Sequence, residues 1–483
     1  MEETVEQKIQ QEEEKQPQNP LGYKPIGKLL VSFSVPAIIS CLINSIYNIV
    51  DQIFIGQGVG YLGNAATTVA FPVMTIILAF GTLIGAGSSA YAAIRLGEKR
   101  EEEAERTLNN AFLFSIIVGI LLMVFGLIFL NPILTLFGAT ENVMPYAHDY
   151  TSVILLGTPF NLLAIVLSNL ARTDGHPRMS MYGMLIGAIL NTILNPIYIF
   201  VFGLGVRGSA IATVTSQIIS AIVLTQYFVR KSKKPIHMRL HIKYMKLERK
   251  RIIRFLILGI SSGITQSVAC IMQVVMNKSL VYYGDRSSIT GDVALSAMGI
   301  VMKIALIMAA FGIGIGIGAQ PIMGFNRGAE KYDRIRKTYL TGVAFATILI
   351  FIVWIFCQTM PEQIISIFGN EGPEFTDFAV NCLKIYLFCI FCSGFQIVST
   401  TYFQATGQPV KASILSMLRQ LLLLIPLLLI LPIFMGLRGI LFSAPIADAG
   451  SAVIVALFII PEMKKLNRKI REQKEMSKKL TCN

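Results

Sequence analysis

Charge is what this 483-residue chain has least of. Asp, Glu, Lys and Arg supply 14% of it against 54% hydrophobic residues, too little polar surface for a soluble fold of that length. Histidine occurs four times, as His148, His176, His237 and His241, all in loops and tails, and HExxH is absent. No catalytic constellation can therefore be assembled, and the expectation is that the chain is not an enzyme. GxxxxGK[ST] is absent as well, which removes ATP hydrolysis through a P-loop. The seven cysteines are odd in number and sit mostly inside apolar runs, so they imply no disulfide framework. Cys389 and Cys392 form a CxxC inside an apolar segment and read as packing residues one helical turn apart. Residues 1–20 are rich in Glu and Gln and read as a disordered acidic tail rather than a signal peptide.

What is present is long apolar sequence. Hydropathy predicts twelve spanning segments, near 29–52, 64–93, 108–130, 147–170, 179–202, 208–229, 253–279, 293–320, 338–358, 382–405, 412–433 and 439–461. The net charge of +14 does not point to nucleic acid, because the basic residues lie between the apolar segments. With the N-terminus inside, inner segments hold 34 of the 42 Lys and Arg, and outer loops hold only Arg207, Arg286 and Arg438. That asymmetry predicts two cytoplasmic termini.

The chain also repeats itself at an offset of about 231. Gly81, Gly85, Gly87 and Gly97 match Gly312, Gly316, Gly318 and Gly328, and Val206-Arg207-Gly208 matches Leu437-Arg438-Gly439. Six spans separate equivalent points, so both halves enter from the same side. The expectation is an all-α membrane protein, twelve helices in two six-helix lobes related by a pseudo-two-fold axis along the membrane normal, as in alternating-access carriers. The boundaries expected are an acidic tail at 1–28, an N-lobe at 29–230, a basic linker at 231–252, a C-lobe at 253–461 and a basic tail at 462–483. The run Gly312 to Gly318 has no strand before it and reads as close helix packing rather than a nucleotide loop.

Polar residues inside the spans are the candidate site. Ser40, Asn44, Tyr47, Asn48 and Asp51 recur at spacings of three and four on the first span, a stripe that is costly against lipid and should face a cavity or another helix. Pro36 should kink that helix. The alternative for Asp51 is a satisfied structural acid near the interface. Lys303 lies too deep in the eighth span to snorkel, about 15 Å from its outer end, and should face the cleft or a polar partner. Arg419 and Asp448 are the remaining opposite charges at mid-membrane, at depths about 5 Å apart, and read as a buried ion pair.

Several stretches together resemble one family. These are Pro36, IVDQIFIG at 49–56, LGNAA at 62–66, RTDGHP at 172–177, LNTILNPIYIF at 190–200, GSAIAT at 208–213 and AQPIMGFNRGA at 319–329. They are similar to the multidrug and toxic compound extrusion (MATE) family, in its bacterial multidrug-efflux branch, over nearly all twelve helices. The resemblance implies a Na⁺- or H⁺-coupled exporter of amphiphilic, often cationic, compounds in the bacterial inner membrane, working by rocking of two lobes. The alternative is a flippase for a lipid-linked saccharide, as in related families of the superfamily. Asp51 and Asn48 are the expected cation-coupling residues. Asn44, Tyr47, Asn191, Asn195, Gln266, Gln273, Lys303, Gln396 and Thr400 are expected to line the cavity. Two departures stand out: Asn195 replaces the acid that some members carry in LNxxxDP, and the seventh span has a neutral stripe, Gln266, Cys270, Gln273 and Asn277, in place of an acid. No cofactor is expected beyond the coupling ion. The expected partners are small amphiphiles and the bilayer, with no nucleic acid, on a monomeric protein.

Overall fold

The computed structural model describes residues 19–229, 237–287, 289–366 and 373–481, with the side chains of 47–49, 61, 292, 373–374 and 477–481 outside that description. Helices α1 (Ile26–Val59), α2 (Tyr61–Gly97), α3 (Glu101–Ile128), α4 (Met144–Thr173), α5 (Pro177–Pro196) and α6 (Gly205–Val229) form the N-lobe. The C-lobe comprises α7 (Arg249–Gly284), α8 (Gly291–Gly328), α9 (Tyr332–Thr359), α10 (Pro373–Tyr386), α11 (Cys392–Ala405), α12 (Pro409–Met417), α13 (Ile425–Met435) and α14 (Leu437–Thr481).

Eleven of the twelve crossings are helices long and apolar enough to span. The tenth differs from the single helix expected at 382–405: α10 ends at Tyr386, residues 387–391 form turns, and α11 resumes at Cys392. Cys389 therefore lies in the break and not on a helix. Gln358 Nε2 donates to Lys384 O at 3.0 Å, one of the carbonyls that the break leaves open. The helix around Pro36 runs on without interruption. In each lobe the fifth crossing carries a π-helical stretch, Ile197–Val201 after Pro196 and Leu418–Leu424 before Pro426. Pro cannot donate to the ladder, and a π turn re-registers the bonds around it. The basic C-terminal tail is not a separate element, because α14 continues unbroken from the membrane to Thr481.

The lobes meet through the inner halves of four helices. A Cβ added at Gly87 would lie 2.0 Å from Phe255 O, at Gly259 1.8 Å from Leu83 O, at Gly318 2.7 Å from Ser34 N, and at Gly314 2.5 Å from Ile38. Lower still, a Cβ at Gly97 would lie 1.9 Å from Phe325 O and one at Gly328 1.9 Å from Ile94 O. Only glycine permits backbones this close, which favours dispersion and Cα–H···O contact in a setting where lipid offers no hydrophobic drive. The pairing obeys the repeat, since Ser34 and Ile38 stand to α8 as Gly259 and Gly263 stand to α2, an offset of 225 for the first helix of each lobe.

Two straps on the side of the termini flank these contacts. The linker crosses the inner face of the N-lobe: Asp174 Oδ1 accepts from the backbone N–H of His237 (2.9 Å) and Met238 (3.0 Å), while Tyr227 OH donates to Asp174 Oδ2 (2.6 Å). Asn109 and Asn110 take up the linker backbone at Arg239, His241 and Glu248. The turn Pro20–Gly22 reaches the other lobe, where Asn326 and Arg334 donate to Leu21 O and Lys331 donates to Gly22 O.

Candidate transport site

Asp51 is one of the most buried acids among the described residues, with 9% of its surface accessible. Relative to Ile38, which faces α8, it is thirteen residues on, a little over three and a half turns, so it points away from the C-lobe and into its own. There Asn195 on α5 and Ser209 on α6 both donate to Asp51 Oδ1, Ser209 at 2.7 Å. Both partners are neutral and fully buried, and Asn195 Oδ1 has no hydrogen-bond partner among the described residues. The local sequence explains the placement: Asn195 precedes Pro196 at the entry to the π stretch, and Ser209 follows Gly208, where a Cβ would strike Tyr198 O at 2.8 Å. A close α6–π contact thus brings the hydroxyl under the carboxylate.

The other expected residues separate into groups. Asn191 is buried and donates to Thr213 Oγ1 at 2.9 Å, and Gln396 is buried and donates to Asp448 O and Ser451 Oγ. With Asn195, these amides work inside the lobes, where unpaired polar groups are costly, and not at an open wall. Thr400 returns its hydroxyl to Gln396 O. Asn44 is exposed, and the side chains of Tyr47 and Asn48 lie outside the described residues. Gln266, Cys270 and Asn277 follow Gly259 by 7, 11 and 18 residues, nearly whole numbers of turns, so they continue outward along the face that meets the N-lobe. All are half-buried, and Gln273 Nε2 donates to Asn277 Oδ1 at 3.0 Å.

Arg419 Nε donates to Asp448 Oδ1. Asp448 is 1% exposed and Arg419 29% by side chain, and Asp448 Oδ2 has no partner among the described residues. The π stretch at 418–424 sets the azimuth of Arg419 toward α14.

Ser209 was not singled out by sequence reasoning as a site residue, although the GSAIAT stretch contains it. Arg172 was also passed over: it is 6% exposed and satisfied by Ser168, Ser180 and Asn169 without an acid.

A family model described as MatE matches residues 36–197 and 263–430, the same stretch of each lobe. The chain belongs to the MatE family. It is 28% identical over 443 residues to the multidrug export protein MepA of Staphylococcus haemolyticus (strain JCSC1435), covering 90% of this chain and 93% of the relative. It is 27% identical over 435 residues to MepA of Staphylococcus aureus (strain MSSA476), covering 90% and 94%. Among solved structures, it superposes on an outward-facing multidrug resistance MATE transporter of the MOP superfamily with a TM-score of 0.87 at 22% identity, covering 94% of this chain and 99% of that one. A MATE protein in a bent conformation gives 0.84 at 21% identity, covering 92% and 97%. The fold is that of a twelve-helix MATE transporter.

Proposed function

We propose that this MatE-family protein exports amphiphilic drugs or metabolites, cationic ones included, by antiport against H⁺ or Na⁺ in the bacterial plasma membrane, with both termini in the cytoplasm. The relatives named for multidrug export support the efflux half of the reading. The observation that carries the coupling half is Asp51. A carboxylate buried at membrane depth and held by an amide and a hydroxyl has no counter-charge among its partners, so a lone negative charge there is strongly disfavoured. A proton on the carboxyl, or a cation shared between the carboxylate and the free Asn195 Oδ1, relieves that cost. Loading and release of that ion is a natural drive for the cycle.

The conformational step fits the inner-half contacts. Close glycine approaches between the lobes on the side of the two termini support an outward-open reading, in which the inward-open end of the cycle would require the seams at Gly97–Phe325 and Gly328–Ile94 to part. The test is the purified protein in liposomes loaded with a dye panel. Dye movement driven by an imposed pH or Na⁺ gradient, and abolished when the gradient is collapsed, is the expected result. Dye movement indifferent to both ions overturns the coupling.

A further inference from the structure

Lys303 is the one cation of α8 outside its last turn, and the proposed cycle leaves it without a task. It lies eleven residues from Gly314, about three full turns and about 16 Å farther out along the axis, so it shares the azimuth at which Gly314 meets Ile38 of the N-lobe. The opposite face of α8 is the buried stripe Ala294, Ala297, Val301 and Met308. One turn outward from Lys303, a Cβ at Gly299 would meet nothing within 4 Å. Lys303 is thus half-buried on the side of α8 that would line an outward-open cleft, and among the described residues no side chain pairs with its ammonium.

The charge around it is one-sided. Residues 52–97 and 249–284, which make up α2, α7 and the outer end of α1, contain no Asp or Glu, and the single acid of α8, Asp292, is in its first turn. Asp51 is turned into the N-lobe and Asp448 is taken by Arg419. The stripe Gln266, Cys270, Gln273 and Asn277 on α7 is uncharged. A lone ammonium at this depth is costly, and a ligand carboxylate, phosphate or sulfonate offsets that cost where a cation adds to it.

We infer that the outer cleft selects amphiphiles that carry an anionic group, zwitterions included, and that Lys303 is the residue that reads that charge. The inference rests on the efflux reading and names its substrate class. The probe pair is rhodamine B, a xanthene zwitterion with a free carboxylate, and its ethyl ester, the same cation with the carboxylate blocked. Fluorescence polarisation with the purified full-length protein should show wild type favouring the free acid about tenfold, the scale of one partly desolvated ion pair. The preference should fall to about one in Lys303→Gln and Lys303→Met, invert in Lys303→Glu, and persist in Lys303→Arg. A ratio near one in wild type overturns the selection without need of any variant, and an unchanged ratio in a monodisperse Lys303→Gln overturns the role of this residue. Gradient-driven export of both dyes with no binding preference leaves efflux standing and removes the selection. If wild type neither binds nor moves either dye, the efflux reading itself falls, and the selection with it.

Discussion

Each lobe buries one acid at membrane depth, and the two are held in different ways. Asp51 is fixed by Asn195 and Ser209, which contribute dipoles but no charge, whereas Asp448 is fixed by Arg419. The repeat sharpens the contrast. At the offset of 225 set by Ser34–Gly259 and Ile38–Gly263, the C-lobe counterpart of Asp51 is Met276, and that of Ser209 at the offset of 231 is Ile440; both are fully buried in the apolar core of the C-lobe. One lobe holds its acid among neutral donors alone. The other has filled that place with hydrocarbon and put its acid elsewhere, tied to a permanent cation.

The largest effect that tests this contrast is on coupling. Asp51→Asn should reduce gradient-driven export to the level of protein-free liposomes while the protein remains monodisperse, and Asp448→Asn should not mimic it in whatever protein does fold. A normally folded Asp448→Asn that has lost coupling breaks the comparison. Next is stability: Arg419→Met or Asp448→Asn alone leaves a buried charge unpaired, a loss of about 3 kcal/mol, at the low end because Arg419 is 29% exposed. The double variant should recover part of that, as read by thermal unfolding in detergent. A smaller change is expected at the gate. Gly328→Val places atoms where Ile94 O now lies, so maleimide labelling of cysteines introduced on the cytoplasmic side of the cleft should rise several-fold, with outer-side labelling falling.

The smallest effect concerns the linker. The hydrogen bond to Glu101 raises the His237 imidazole above its ordinary range, assisted by the nearby charge of Asp174. Because the folded value is the higher one, the contribution to docking is complete below the unfolded value near ~6.5 and is lost as pH climbs through the folded value. Proteolysis within 237–248 should therefore quicken from pH 6 to pH 9 by the amount a bridge of under about 1 kcal/mol allows. His237→Ala should show no such pH step.

Much of this architecture was legible because lipid leaves few options. Apolar run lengths located the crossings, and the glycine repeat located the seam, although the helices extend past the sequence windows wherever a polar segment keeps its backbone bonds, as α7 does from Arg249 and α8 to Gly328. The break at 387–391 was not legible. Its residues, Leu387 to Phe391, include no Pro or Gly, and nothing local forbids a helix there. Spacing placed Asp51, but its partners come from helices more than 140 residues away, and only contact between α5, α6 and α1 selects Ser209. The same contact turns Asn191 and Asn195 inward, and contact between α11 and α14 does the same for Gln396, so that their amides serve neighbours in the lobe. The strap from Pro20–Gly22 left no mark in composition, because its acceptors are main-chain carbonyls that every residue carries.

The seam at Gly97 and Gly328 has an ancestry written into it. Gly97 meets Phe325 and Ala329, Gly328 meets Ile94 and Glu98, and each residue of one set lies 231 positions from its counterpart in the other. This reciprocity is the signature of an isologous contact between two identical subunits. The two halves of this chain stand to each other as the subunits of such a dimer would, both inserted in the same orientation. It follows that residues 1–233 and 234–483, synthesised as separate polypeptides, carry all the surface required to find each other in a membrane.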